Sequence, residues 1–263
     1  MPAPTLSVIL ITKNESARID ACLASVAFAD EWIVVDSHSS DDTRERARRF
    51  GASVVDTDDW PGFGAQKQRA LDRATGRWVL AIDADERVTP ELAVSIRRAI
   101  ADDAGPAAYE LSRLSRFAGR WIRHGDWYPD RVVRLFRRGQ ARFSADRVHE
   151  RVVADVAVGR LAGELLHETM PTLDDALAKL NRYSSEGAAE RVAAGGRGSL
   201  AAAIGHAAWA FVRGYVVRGG FLDGGAGLVL AVYGAEGTFW RYLKMAELAR
   251  HLPRDHGGAT PSH

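Results

Sequence analysis

The chain has 263 residues, a formal net charge of +1 and 46% apolar side chains. That is room for one large domain, or a domain with an appendage, and it gives no overall positive field to call for a nucleic-acid partner. Cys22 is the only cysteine, which excludes an intrachain disulfide and fits a reducing cytoplasm. The N-terminus lacks the basic and then apolar run of a secretory signal.

In chain order, Leu6–Ile11 reads as a buried strand, followed by a helix over Ala17–Phe28 with Asn14 or Ser16 as its cap. Trp32–Asp36 is the next strand. Asp41–Phe50 is a helix with acids first and arginines last, as the helix dipole favours. Ala52–Asp56, Gly64–Ala74 and Trp78–Asp83 continue as strand, helix, strand. Thr89 caps a helix that has Pro90 at its first position and runs to Ala101. Such alternation predicts an α/β fold with a mostly parallel sheet flanked by helices. After a break at Ala104–Pro106, Tyr109–Arg113 and Arg131–Arg137 read as strands. Leu173–Val192 reads as a helix started near Thr172. The expected organisation is 1–105, 106–170 as a second half of the same domain, and a helical extension over 171–263.

Two segments are nearly free of charge, Ser199–Val212 and Gly224–Ala235. Each is shorter than the ~20 residues of a bilayer span. The reading preferred over a buried helical subdomain is a membrane interface. Trp209, Phe211, Tyr215, Phe221, Tyr233, Phe239 and Trp240 would anchor it, with Arg213, Arg218, Arg241 and Lys244 toward headgroups. Between Arg113 and Arg151 there are eleven arginines and four acids. This local excess suggests a surface facing phosphates or an anionic membrane.

Ligands of parallel sheets bind at the carboxyl ends of the strands. Thr12–Glu15, Asp36–Asp41 and Asp83–Asp85 all follow strands, so they should meet in one crevice. Asp83-Ala84-Asp85 ends a buried run, where two carboxylates can hold Mg²⁺ or Mn²⁺ against a diphosphate. Backbone and hydroxyl groups of Thr12–Glu15 would meet a base and ribose, with helix capping by Asn14 and Glu15 as the plainer role; Asp36 would accept from the base or ribose, and Lys67 would meet a phosphate. Glycosyl transfer with inversion needs a general base. Glu150, with His149 beside it, is the first candidate, and Asp126 and Asp130 are rivals. A nucleotidyltransferase would need a glycine-rich triphosphate loop, and a dehydrogenase a G-x-G-x-x-G after the first strand; neither is present. The alternatives that remain are a transferase of the same kind with a different polysaccharide or glycolipid acceptor, and an inactive scaffold of the same fold.

Several stretches resemble glycosyltransferase family 2, the inverting enzymes of the GT-A fold. The similarity is to its branch of lipopolysaccharide core β-1,4-glucosyltransferases. They are Ser7–Glu15, Ile33–Thr43, Gly62–Glu86, Trp127–Arg137, Val148–Glu150 and Arg218–Gly227. Gln68 departs from an expected Asn, and His38-Ser39 from a Gly-Ser common in the wider family. The resemblance implies a UDP-sugar donor held by Thr12, Glu15, Asp36, Lys67 and Asp83, with metal at Asp85 helped by Asp83. Glucose is the sugar it suggests. It implies an acceptor side that includes Trp127, Tyr128, Arg131 and Arg134. The acceptor would be a lipid-anchored saccharide at the cytoplasmic face of the bacterial inner membrane, which makes the protein peripheral on an anionic surface.

Overall fold

A computed structural model describes residues 5–144 and 151–251. Strand β1 (Leu6–Thr12) is buried at every position but Ile11. A strand covered on both faces suits the middle of a parallel sheet. It pairs in parallel with β2 (Glu31–Asp36) on one side and β4 (Trp78–Ala81) on the other, and β2 pairs in parallel with β3 (Ser53–Asp56). Side chains alternate between faces along a strand. Leu6, Val8 and Leu10 therefore join one apolar cluster, with Ile19, Leu23, Leu92 and Ile96. Ile9 joins another, with Ala70 and Leu71. The first cluster seats α1 (Ile19–Ser25) and α4 (Pro90–Ala101), and the second seats α3 (Phe63–Leu71). Full burial of each Leu or Ile in these clusters is worth about 1.5–3 kcal/mol before entropy. Helix α2 (Thr43–Phe50) ends at Gly51, whose φ of 101° is the left-handed stop that glycine tolerates.

The expected parallel sheet is thus β3-β2-β1-β4, and it continues into strands of the opposite sense. The sheet order runs on through β8 (Asp130–Arg137), β6 (Ala108–Phe117), β11 (Val158–Met170) and β5 (Glu86–Val88). β4 with β8, β8 with β6 and β11 with β5 are antiparallel pairs. A separate antiparallel pair, β9 (Ala141–Phe143) with β10 (Val152–Ala154), flanks residues 145–150. The 13-residue β11 is the largest element absent from the sequence reading. It reaches the start of α4 through Thr89, which accepts from Leu92 N as N-cap and exchanges hydrogen bonds with the backbone of Glu164.

The described chain divides into two compact units. One holds residues up to Arg116 and Tyr128–Thr169; the other holds Phe117–Trp127 and everything from Met170 on. The stretch Phe117–Trp127, which carries β7 (Arg120–Trp121), falls in the second unit.

The second unit is helical. Its α5 (Leu173–Ala193) opens with a capping box between Thr172 and Asp175. Helix α6 (Leu200–Val212) runs into a π-helical turn at Arg213–Val217. A 3-10 turn at Gly220–Asp223 then leads to α7 (Gly224–His251). The glycines of this hairpin are packing surfaces. A Cβ on Gly220 would lie 2.6 Å from the Gly214 carbonyl oxygen, and one on Gly227 would strike that of Gly220. Asp223 accepts from the backbone N–H groups of Arg123 and His124 and pairs with the His124 ring. The Arg218–Gly227 stretch is therefore an internal fastener of the helical unit.

Candidate active site

The loops after β1 and β2 are sewn together by short polar side chains. Asp36 is fully buried. It accepts from the Thr12 hydroxyl at 2.7 Å and from the Ser39 N–H and hydroxyl at 2.7 and 2.6 Å. Asn14 N–H donates to Ser39 Oγ, Ser40 N–H to Asn14 Oδ1, Glu15 N–H to Thr43 Oγ1 and Ser16 N–H to Asp41 Oδ2. Asn14 and Ser16 are thus cross-links between loops, and α1 starts at Ile19 without a side-chain cap. His38 takes the left-handed φ of 59°, a conformation in which His is enriched among non-glycine residues.

The third loop carries Asp83 and Asp85, and their surroundings are opposite. Asp83 Oδ1 meets Lys67 Nζ at 2.7 Å, and its Oδ2 meets Arg134 at 2.8 Å. Burial pushes the Asp83 carboxyl up, but Lys67 and Arg134 outweigh it and hold the group well below the carboxylate range. Arg134 also binds the buried Glu86 at 2.9 Å, and Arg113 approaches Glu86 at 3.6 Å and Asp130 at 2.7 Å. Lys67, Asp83, Arg134, Glu86, Arg113 and Asp130 form one chain of alternating charge. Glu86 closes the turn by accepting from the Asp83 N–H, and its own N–H donates to the Asp83 carbonyl.

Among the described residues Asp85 has no such cations. Its Oδ2 lies 3.4 Å from Nε2 of His167, and the two side chains are 21% and 14% exposed, so both can be reached. The strand pairing explains the approach. His167 on β11 is opposite Glu86 on β5, and Glu168 N–H donates to the Asp85 carbonyl. Glu15 contributes a further carboxylate whose charge interacts with that of Asp85. Burial raises its pKa, Arg18 opposes the rise, and the charge of Asp85 adds to it.

His167, Glu86 and Arg113 are the residues that sequence reasoning missed. A signal for His167 existed: Leu161, Leu165 and His167 recur at even spacing, and Leu161 and Leu165 pack on the core. That period of two marks one strand face with a histidine at its end.

Of the remaining expected site residues, Arg134 belongs to this cluster and the others make contacts of their own. Arg134 is buried on Asp83 and Glu86, Arg131 pairs with Glu110, and the Tyr128 hydroxyl lies 3.4 Å from Glu164. Trp127 packs in the helical unit, edge-on to Phe117 and Tyr233 at 5.5 and 6.3 Å. Asp126 there holds Arg213 and Arg218. Glu150 and His149 lie outside the described residues. The arginine excess of Arg113–Arg151 is matched in space by acids distant in sequence. Arg116 pairs with Glu168, Arg137 reaches Asp103 and Arg142 reaches Asp155, besides the pairs already described. A local charge count could not see those partners.

Among the described residues no three His, Cys, Asp or Glu side chains converge on one point. Two do, Asp85 and His167. Mg²⁺ and related ions often take one or two protein ligands and complete their shell with water and substrate phosphate. The carboxylate-imidazole pair therefore fits a divalent ion that arrives with its diphosphate.

The sequence model of "Glycosyl transferase family 2" matches residues 7–149, more than half of the chain. An uncharacterized glycosyltransferase of Rickettsia typhi is 32% identical, over 93% of this chain and 87% of its own length. The lipopolysaccharide core biosynthesis glycosyltransferase LpsC of Rhizobium meliloti is 29% identical, over 93% of each. Among solved structures, residues 1–349 of S. aureus TarS are similar at 16% identity and a TM-score of 0.48, over 70% of this chain and 65% of that one. The chain belongs to glycosyltransferase family 2, with an α/β fold of the GT-A type.

Proposed function

We propose that the protein is an inverting, divalent-metal-dependent hexosyltransferase. It moves glucose from UDP-glucose to a lipid-anchored saccharide of the lipopolysaccharide inner-core kind. The observation that carries the reading is the reachable Asp85–His167 pair beside the Lys67–Asp83–Arg134 cluster, at the carboxyl end of a parallel sheet. The name of LpsC and the sequence resemblance support the acceptor class.

In this reading Asp85 and His167 hold Mg²⁺ or Mn²⁺, which supplies Lewis-acid charge against the departing diphosphate. Lys67 is the phosphate contact, and Asp83 holds its ammonium in place at 2.7 Å. The wall made by Thr12, Asp36 and Ser39 shapes the base and ribose end, with Glu15 at its edge. Glu150, helped by His149, takes the proton from the acceptor hydroxyl. Tyr128 and Arg131 belong to the acceptor side.

The protein works from the cytoplasmic side as a peripheral membrane protein. Sixteen of the twenty large hydrophobic side chains that stand exposed among the described residues belong to the helical unit. Within it, Leu200–Val217 has a mean hydropathy of 1.3 and is 17% buried. By length and composition that stretch could also cross a membrane. Tyr233 is spent inside the unit, and Lys244 donates to Asn181, Ser184 and Ser185. The surface therefore relies on apolar contact more than on those cations.

A donor panel in thermal denaturation tests the reading. With Mn²⁺, UDP-glucose at a hundredfold excess over its Kd adds about 2.7 kcal/mol, or roughly 5–10 °C at this size. Other nucleotide sugars should shift less. Asp85→Asn and His167→Ala should abolish the metal-dependent part. A panel with no metal-dependent shift and no transfer would favour an inactive scaffold.

A further inference from the structure

Ser115, 6% exposed on β6, places its Oγ 3.0 Å from Nδ1 of His167, on the ring edge away from Asp85. Residues two apart on a strand share a face, and Ser115 is two positions past Arg113, which reaches Glu86. The same face of β6 thus steadies both flanks of the Asp83–Glu86 turn. We propose that Ser115 is the positioning residue for His167, fixing the imidazole so that Nε2 is presented at Asp85 as half of a divalent-cation site. The inference rests on the reading of Asp85 and His167 as the metal pair.

The chemistry favours a hydroxyl. A neutral imidazole carries one proton, on either nitrogen. With the proton on Nε2, it points to the Asp85 carboxylate and Nδ1 accepts from the serine O–H. With the proton on Nδ1, it is donated to Ser115 Oγ and Nε2 offers its lone pair to a cation. The ring is neutral in both forms: one proton leaves Nε2 for solvent and one reaches Nδ1 from it. A serine hydroxyl serves both forms by rotating, because it donates and accepts. Neither a carboxylate nor an alkyl group could do so. Ring partners of this kind fix orientation and basicity, and losing them typically costs about 10–100-fold in metal affinity.

The test is titration of the full-length protein with Mn²⁺ in the presence of UDP, following unbound Mn²⁺ by electron paramagnetic resonance. UDP binding without metal is measured in parallel by calorimetry. Ser115→Ala should weaken Mn²⁺ binding about 10–100-fold and leave metal-free UDP binding within about twofold. Ser115→Thr, which keeps the hydroxyl, should recover most of the loss. Equal weakening of Mn²⁺ and metal-free UDP binding would assign Ser115 to packing and overturn the proposal. If Ser115→Ala binds Mn²⁺ like the native protein while His167→Ala does not, the proposal falls and the metal reading stands. If His167→Ala also binds normally, both fall.

Discussion

The parallel and antiparallel halves of the sheet divide the site between them. The parallel half, β3-β2-β1-β4, supplies the carboxyl-end loops. Its polar contacts are many and short-range in character: Thr12, Ser39, Asn14 and Thr43 each tie one loop to the next. The antiparallel half supplies few residues with large effects: Arg134 and Arg113 for the acids, and His167 for Asp85. One half brings the loops together, and the other sets which of their carboxylates is held by arginine. Asp83 is claimed by two cations, whereas Asp85 meets an imidazole and no Lys or Arg among the described residues.

The comparison predicts unequal costs of disruption. Arg134→Met should have the largest. It takes the guanidinium from Asp83 and from Glu86, which is fully buried. Removing one partner of a buried ion pair costs about 3–5 kcal/mol, because the other charge is left uncompensated. The urea midpoint should fall accordingly. A loss below about 1 kcal/mol would mean that the alternating charges are not a stabilising network, and the contrast between halves would collapse.

Gly163→Ala comes next. Gly163 sits on β11 with φ of 90°, and an added Cβ would meet the Leu92 backbone nitrogen in the first turn of α4. Left-handed strain and overpacking each cost of order 1–3 kcal/mol. Since β11 carries His167, the same change should weaken Mn²⁺·UDP binding. A destabilised variant with native metal affinity would separate the strand's packing from its role at the site.

How legible each half was in the sequence follows from the same division. β1, β2 and β4 are short apolar runs ending in polar clusters, and their ligand ends follow from topology. Thr89 and Thr172 were readable as caps because capping is local. The antiparallel half depends on pairs distant in sequence, such as Arg134 with Glu86 or His167 with Asp85. Gly159 and Gly163 interrupt the apolar face of β11, so its alternation at Leu161, Leu165 and His167 is a weak signal. Lys67 was picked out as a phosphate contact, and only the fold reveals that Asp83 already holds it.

On the parallel side, Thr12→Val keeps the shape and removes one donor from Asp36. A hydrogen bond to a charged group is worth about 1.5–3 kcal/mol. The two Ser39 donors remain, so the loss should sit at the lower end, about 1.5 kcal/mol. A cost equal to that of Arg134→Met would show that the loop stitches carry as much as the charged network.

The smallest effect belongs to Asp41, at the edge of the same stitching. It accepts from the Thr43 hydroxyl and N–H and from the Ser16 N–H, and these bonds hold its carboxyl at about 2. The folded pKa is therefore below the unfolded value of about 3.9. A depressed carboxylate contributes stability that is fully present above the unfolded pKa and is lost as pH falls through the folded one. The difference in urea midpoint between the native protein and Asp41→Asn should be constant above about pH 5 and shrink between about pH 4 and 2. A difference that stays the same down to about pH 2.5 would place the contribution of Asp41 in hydrogen-bond geometry that asparagine reproduces, with no part from its charge.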